Sequence, residues 1–474
     1  MNNIRVRFAP APTGFMHLGN ARTALINYLF SKQKSGTFVL RVEDTDFKRT
    51  IEQGIEKIFE NLQWLGLEYD EGPLKGGPYS PYFQSERAQI YSKYLNKIIE
   101  KTFAYRCFCT PEELEAKRDR QIALKAPPRY DRTCLHLTKE KIDEKLNAQV
   151  PFIWRFKLDE AKKVQFFDLA HKEMVFDLKN FSDIPVTRQD GSFTFLFANF
   201  VDDHEMKISH VFRGEDHLSN TAAQVALYEA FNFEVPTFWH LPIIANKDGK
   251  KLSKRDFGFS LNDLIAAGYL PQAICNYLTI IGGSFKNEIM SMPELIDSLD
   301  FSTVKPTGMI KYDIEKLNWV NHQWILHYDL PKLAELCKPY LHQKQPESLH
   351  FSDEQILNLV KLVQPDLVKL SDVSTLLAFY FQQPSISQEL LHNNKFDEYK
   401  DILNKIVAEK NKVHNAADLM IVVKELCKTN NKSPKELFML LRIVVTGKIT
   451  GPSMVDLVNT IGLERFFSGL SKAV

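Results

Sequence analysis

Pro12-Thr13-Gly14-Phe15-Met16-His17-Leu18-Gly19-Asn20 lies between two segments of different periodicity. Before it, Ile4-Arg5-Val6-Arg7-Phe8 alternates apolar and charged residues as a strand does. After it, Ala21-Arg22-Thr23-Ala24-Leu25-Ile26-Asn27-Tyr28-Leu29-Phe30 carries apolar residues at helical spacing. The loop therefore feeds a helix N-terminus, where free backbone N–H groups and the positive end of the helix dipole favour anions. Gly19 lets a ligand approach the backbone, and His17 can donate to a phosphate oxygen.

A second cluster stands more than two hundred residues on. Lys251-Leu252-Ser253-Lys254-Arg255 follows the turn signal Asp248-Gly249 and offers movable cations. Such cations gain rate when they neutralise phosphate charge that develops only in the transition state. Together the two clusters describe a site that activates a substrate with ATP.

A chain of 474 residues is too long for one core and suggests roughly three or four units. With 44% hydrophobic and 25% charged residues and no apolar run near the length of a membrane span, it reads as soluble and globular. The charged, strand-like start shows no signal peptide. Six unevenly spaced cysteines do not make a disulfide framework, which fits a reducing cytoplasm. The net charge is +1, so nucleic-acid contact must come from local patches. One candidate runs from Lys405 to Lys448, with nine basic and four acidic residues, although a solvated helical face gives the same count.

The first unit reads as βαβ: a strand at Ile4–Phe8, a helix at about Asn20–Gln33 and a strand at Thr37–Val42. This order puts Arg7, His17 and Glu43 near the carboxyl edge of a parallel sheet, where such folds bind ligands. The alternation resumes with strands at Phe193–Val201 and Ile208–Arg213, a helix at about Ser219–Phe231 and a strand at Trp239–Ala245. The hundred or so residues between the halves make too long a loop and are read as a domain of their own. Beyond about His327 the periodicity is helical, as in Glu354-Gln355-Ile356-Leu357-Asn358-Leu359-Val360.

The insertion holds Cys107-Phe108-Cys109 and Cys134-Leu135-His136, the pattern C-x-C-x24-C-x-H. Three thiolates and an imidazole suit tetrahedral zinc, and a closed set of four makes the site structural. Cys275, Cys337 and Cys427 lack such partners and read as core thiols.

Three further stretches, Arg7-Phe8-Ala9-Pro10-Ala11-Pro12-Thr13-Gly14, Arg41-Val42-Glu43-Asp44-Thr45-Asp46 and Phe212-Arg213-Gly214-Glu215-Asp216-His217, join the two clusters. The set resembles the motifs of class I aminoacyl-tRNA synthetases and, within that class, of bacterial glutamyl-tRNA synthetases, almost from end to end. The resemblance implies an α/β fold: a Rossmann-like parallel-sheet catalytic domain in two halves (1–92 and 193–250), separated by an acceptor-binding insertion with a zinc knuckle (93–192). A stem-contact region (251–326) and an all-helical anticodon-binding domain (327–474) follow.

By the same resemblance ATP is bound by Pro12, Thr13, Gly14, His17, Gly19, Asn20, Lys251, Ser253, Lys254 and Arg255, with His17 and Lys254 catalytic and Mg2+ on the phosphates. Glutamate is held by Arg7, Ala9, Glu43, Phe195, Asn199 and Arg213. Arg213 takes the side-chain carboxylate bidentately with help from Arg7, and Glu43 takes the ammonium. A plain salt bridge among Arg7, Glu43 and Arg213 is the competing reading. The family also supports one zinc at Cys107, Cys109, Cys134 and His136. The implied partners are ATP, L-glutamate and the glutamate tRNA, bound before glutamate is activated, with the glutamine tRNA left open. The working form is a cytoplasmic monomer that meets no membrane.

Three positions depart from the family pattern: Ala11 replaces Ser, Phe195 replaces a Tyr whose hydroxyl faces the substrate, and Asn20 replaces a second His. Each of the first two removes a polar contact worth about 1.5–3 kcal/mol if its partner is charged. A non-catalytic RNA-binding module would have lost His17, Gly19 or Lys254, and all three are present. A truncated relative that modifies a tRNA base would lack the helical last third.

Overall fold

In the computed structural model, which describes residues 4–12, 14–45, 52–253, 256–300, 308–386 and 388–473, the first strand is β1 (Arg5–Phe8). Its alternation does not divide a wet face from a dry one, because all four residues are buried. Both arginines meet carboxylates there, Arg5 that of Glu71 at 2.7 Å and Arg7 that of Asp203 at 3.1 Å, which is what makes a charged buried strand tolerable. The helix α1 (Leu18–Gln33) follows, then β2 (Thr37–Leu40), parallel to β1 with Arg5 opposite Thr37. The helices α2 (Glu52–Leu65) and α3 (Ala88–Glu100) complete the first half.

The inserted stretch contributes β3 (Ala104–Cys107), α4 (Pro111–Ala123), α5 (Lys139–Asn147), β4 (Ile153–Phe156), β5 (Lys163–Asp168), β6 (Lys172–Asp177) and β7 (Ile184–Pro185). β3, β4 and β7 form an antiparallel sheet of their own. The hairpin β5–β6 does something else. Through Asp168 and Phe238 it joins β9 (Thr237–Leu241), which is parallel to β8 (His210–Gly214), so the sheet order is β6-β5-β9-β8.

The strand expected at Phe193–Val201 is a helix, α6 (Phe195–Glu205). Phe193, Phe195 and Phe197 alternate and imitate a strand, but the residues Phe197 to Asp203 are all buried, polar and apolar alike. A helix enclosed on every side gives no amphipathic signature. Phe197, Phe200 and Val201 pack with Val225, Leu227 and Phe231 of α7 (Leu218–Phe231) and with Tyr91, Tyr94 and Ile98 of α3. Each such side chain contributes about 1.5–3 kcal/mol when fully buried. β1 lies beside β8, with the Ser209 N–H donating to Arg5 O at 3.0 Å, and the carboxyl ends of β1, β2 and β8 open to one side.

The chain divides into two compact units, Met1–Asp263 with Ile274–Asp313, and Leu264–Ala273 with Ile314–Val474. The second is helical among its described residues, as the periodicity predicts. Its helix Asp353–Val363 starts at a capping box in which Ser352 and Gln355 satisfy each other's backbone N–H. Cys275, Cys337 and Cys427 are buried, as core thiols are. No helix among the described residues is long and apolar enough to cross a membrane.

Candidate active site and metal centre

His17 is the N-cap of α1, and its Nδ1 accepts the Asn20 N–H at 3.2 Å. Burial first, and then the charge of Lys251 acting against that of Asp216, brings its imidazole down to about 4. The ring is therefore neutral near pH 7, and with Nδ1 accepting, its proton sits on Nε2 as a donor. A Cβ on Gly19 would meet the His17 ring at 3.0 Å, so this glycine makes room for the imidazole. Pro12 is buried, and nothing stands within 4 Å of a Cβ built on Gly14.

The segment after the lysine cluster backs onto the same helix end. The Leu18 N–H donates to Phe259 O at 3.1 Å, Leu261 N–H donates to Met16 O at 2.9 Å, and the Phe259 ring lies 5.3 Å from that of His17. Lys251 reaches Asp216 at 2.8 Å, and Ser253 donates through N and Oγ to Asp256 at 2.9 and 2.8 Å. The two clusters thus share one place. Thr13, Lys254 and Arg255 lie outside the described residues.

Beyond the His17 loop, a frame of buried charge lines the carboxyl ends of the strands. Arg41 reaches Asp203 at 2.8 Å, Glu43 at 3.0 Å and Asp202 at 3.7 Å. Arg87 takes Asp202 at 2.6 Å, and Arg7 takes Asp203 through Nε and Nη2. Against burial, Arg7 and Arg41 hold the Asp203 carboxyl below its ordinary value, whereas burial wins at Glu43 and raises it in spite of Arg41. The Asn199 amide also donates to Glu43 Oε1 at 2.6 Å.

Arg213, at the end of β8, differs from the other three arginines. It is buried yet makes no ion pair among the described residues. Its Nη2 donates to two neutral oxygens, Thr221 Oγ1 at 2.6 Å and Gln224 Oε1 at 2.7 Å, and its Nε and Nη1 have no partner. Burial first, then the charge of Arg7, brings its guanidinium down to about 10. A cation left in this state is costly and calls for an anion. The structure therefore separates the residues that the bridging alternative had joined: Arg7 pairs with Asp203, Glu43 with Arg41, and Arg213 stands unpaired. Ala9 and Phe195 are half-buried, with the Phe195 ring 5.8 Å from His217, and Ala11 is exposed.

Cys107, Cys109 and Cys134 are buried with their sulfurs within 4.8 Å of one another. His136, the fourth expected ligand, is exposed and lies outside that group of three. Cys134 and His136 share the short 3-10 turn Thr133–His136, and at three residues per turn positions two apart point to different sides. The Tyr130 hydroxyl stands among the thiols instead, 3.2 Å from Cys107 Sγ and 3.9 Å from Cys109 Sγ. Burial, with Cys107 nearby, pushes the Cys109 thiol up to about 12. Three soft donors at this spacing and a phenol oxygen fit a tetrahedral thiophilic ion.

Sequence reasoning missed Arg41, Arg87, Asp203, Thr221, Gln224 and Tyr130. Thr221 and Gln224 gave one signal, being polar residues three apart in a helix otherwise dominated by Ala, Val and Leu.

A family model described as the catalytic domain of class I tRNA synthetases (E and Q) matches residues 3–319, and one described as an anticodon binding domain matches residues 332–474. The chain is 38% identical to the glutamate–tRNA ligase of Geobacillus thermodenitrificans, over 100% of this chain and 99% of that one. It is 39% identical to that of Natranaerobius thermophilus, over 98% and 97%. Its structure is similar to the crystal structure of a glutamate tRNA ligase from Elizabethkingia meningosepticum in complex with its amino acid, with a TM-score of 0.88, 33% identity and 99% of each chain covered.

Proposed function

The chain belongs to the class I glutamate–tRNA ligases, and from that premise we propose that Arg213 is the residue that selects glutamate by its side-chain carboxylate. The observation that carries this reading is the buried guanidinium with neutral acceptors on one nitrogen and none on the other two. A carboxylate supplies the missing charge, whereas the amide of glutamine leaves the cation uncompensated. Glu43 receives the ammonium through Oε2, since Arg41 and Asn199 both occupy Oε1. Arg7 contributes its field from the ion pair with Asp203, and Ala9, Phe195 and Asn199 line the pocket.

In the reaction an α-carboxylate oxygen of glutamate attacks the α-phosphate of ATP, the bond to pyrophosphate breaks, and glutamyl-adenylate forms. The terminal adenosine hydroxyl of the tRNA then attacks the acyl carbon and AMP leaves. No enzyme side chain becomes covalently linked, so catalysis is positioning and charge stabilisation. His17 donates from Nε2 to a phosphate oxygen. Pro12, Thr13, Gly14, Gly19, Asn20 and Ser253 shape the nucleotide site, and Lys251, Lys254 and Arg255 supply cations as pyrophosphate separates. Mg2+ brought with ATP neutralises part of the same charge.

We assign a structural zinc to Cys107, Cys109 and Cys134, with the Tyr130 hydroxyl as the nearest fourth donor. We read the working form as a cytoplasmic monomer, and six free cysteines fit a reducing compartment. Aminoacylation of purified tRNAs for glutamate and for glutamine decides whether the second is also a substrate.

The test of the central assignment is Arg213→Ala. ATP–pyrophosphate exchange under saturating tRNA should show the efficiency with glutamate falling by at least about a hundredfold, near 3 kcal/mol, and the preference over glutamine shrinking further. Undiminished preference would make Arg213 structural and move the selection to Arg7.

A further inference from the structure

Arg213 is not held by its acceptors alone. Thr221, fully buried one turn into α7, has its hydroxyl 2.6 Å from Arg213 Nη2 and 2.7 Å from His240 Nε2. The other imidazole nitrogen, Nδ1, lies 2.6 Å from Asp168 Oδ2, which also accepts the His240 backbone N–H at 3.1 Å. Asp168 Oδ1 is fixed in turn by the N–H groups of Ala170 and His171, each at 2.8 Å. Asp168, Thr221 and His240 are fully buried.

The direction of every link follows from chemistry. Against burial, the hydrogen bonds from His240 and His171 bring the Asp168 carboxyl down to about 2, so it is an acceptor only. His240 must then carry its proton on Nδ1. Burial holds this imidazole below its ordinary value and neutral, leaving Nε2 as a bare acceptor. The Thr221 proton accordingly points to Nε2 at 2.7 Å in preference to the His217 carbonyl at 3.2 Å. What Thr221 turns toward the guanidinium is lone-pair density.

Such a restraint matters because two carboxylates stand within electrostatic reach of Arg213. Asp203 and Glu43 both attract it electrostatically. A guanidinium free to swing would settle on one of these carboxylates and leave the pocket without its cation.

We infer that Asp168, His240 and Thr221 form a positioning relay that fixes Arg213 on its ligand and keeps it off Asp203 and Glu43, making the three residues determinants of amino-acid specificity. The inference rests on the reading of Arg213 as the carboxylate-binding cation. Its anchor, Asp168, is the last residue of β5 in the inserted stretch, so the inserted stretch holds the arginine that selects the amino acid.

Thr221→Val keeps the shape and removes the hydroxyl, while Thr221→Ser keeps the hydroxyl and removes a methyl. In ATP–pyrophosphate exchange with saturating tRNA, Thr221→Val should raise the KM for glutamate about tenfold or more and cut the preference over glutamine by a similar factor. The KM for ATP should stay within about twofold, and Thr221→Ser should restore both glutamate values to within about threefold. Wild-type KM and preference in Thr221→Val overturn the relay, as does a loss in Thr221→Ser equal to that in Thr221→Val. So does a parallel rise in the KM for ATP. If melting shows that Thr221→Val does not fold, Thr221→Ala carries the same expectation. Arg213→Ala, run alongside, separates the two levels: if it abolishes the preference and Thr221→Val leaves it at the wild-type value, the relay alone fails, and if Arg213→Ala leaves the preference intact, the underlying reading fails.

Discussion

The Gln224 amide donates to Asn199 Oδ1 across 2.9 Å, and this contact joins the cationic end of the pocket to its anionic end. Gln224 Oε1 accepts from Arg213, and Asn199 Nδ2 donates to Glu43, so two amides in series face each charge with the complementary pole. Gln224→Glu is nearly isosteric but gives Arg213 an internal counter-ion. The KM for glutamate should rise by at least about a hundredfold while the melting temperature holds or rises. Exchange kinetics and calorimetry check both halves, and a KM that stays put means that Arg213 is not the carboxylate receptor.

His17 should act on the rate and hardly on glutamate affinity. If its Nε2 donor serves a phosphate, whose charge grows most in the transition state, His17→Ala should slow adenylate formation by about a hundredfold or more. Lys254→Ala should behave likewise. Single-turnover kinetics read the step directly. An unchanged rate with a tenfold weaker glutamate constant would contradict the assignment.

Acid should destabilise the protein before its carboxylates titrate. His17 and His217 are both brought down to about 4, chiefly by burial, from an ordinary value of 6.5. Between these values the unfolded chain carries protons that the folded chain lacks, so stability falls as pH drops from about 6.5 towards 4. Melting temperature against pH will show this decline, and His217→Asn should flatten part of it.

Lys251 and Asp216 form an exposed ion pair, so Asp216→Asn should change stability by less than about 1 kcal/mol. Function should respond more. A released Lys251 is free for the phosphates, and the KM for ATP should fall about two- to fivefold at low salt and return in high salt. No change at any ionic strength would leave the pair without a role.

Metal retention separates the two candidate fourth donors. His136→Ala should keep one zinc per chain, because that imidazole is exposed and away from the thiols. Tyr130→Phe should weaken retention by about 10–100-fold, and Cys134→Ser more. Mass-spectrometric metal analysis under chelator competition gives the order, and loss of zinc in His136→Ala restores the imidazole as a ligand.

Where local sequence pattern and structure agree, a single segment carries the signal. The strand–loop–helix around His17 could be read because strand alternation, loop and helical spacing follow one another in a single stretch. The Asp353–Val363 helix could be read because one of its faces is wet. α6 could not, since burial on all sides erases its period and three alternating phenylalanines supply a false one. The support of Arg213 was invisible for another reason. Asp168, Thr221, Gln224 and His240 are brought together only by the sheet order β6-β5-β9-β8 and the helix packed on it. Tyr130 was hidden inside a spacer whose length was counted but whose path was not.

The pairing of β5 with β9 also sets where this protein can be cut. An excision drawn at residues 93–192 removes the two outer strands of the catalytic sheet together with the separate β3-β4-β7 sheet. β9 would become an open edge, its backbone N–H and C=O groups bare and Phe238 stripped of its packing partner Phe166, which is a template for pairing with another chain. The separable module is smaller than the inserted stretch and not contiguous: β7 (Ile184–Pro185) pairs with β4 but follows the hairpin, so any graft or deletion that respects the fold must take β7 and leave Lys163–Asp177 behind.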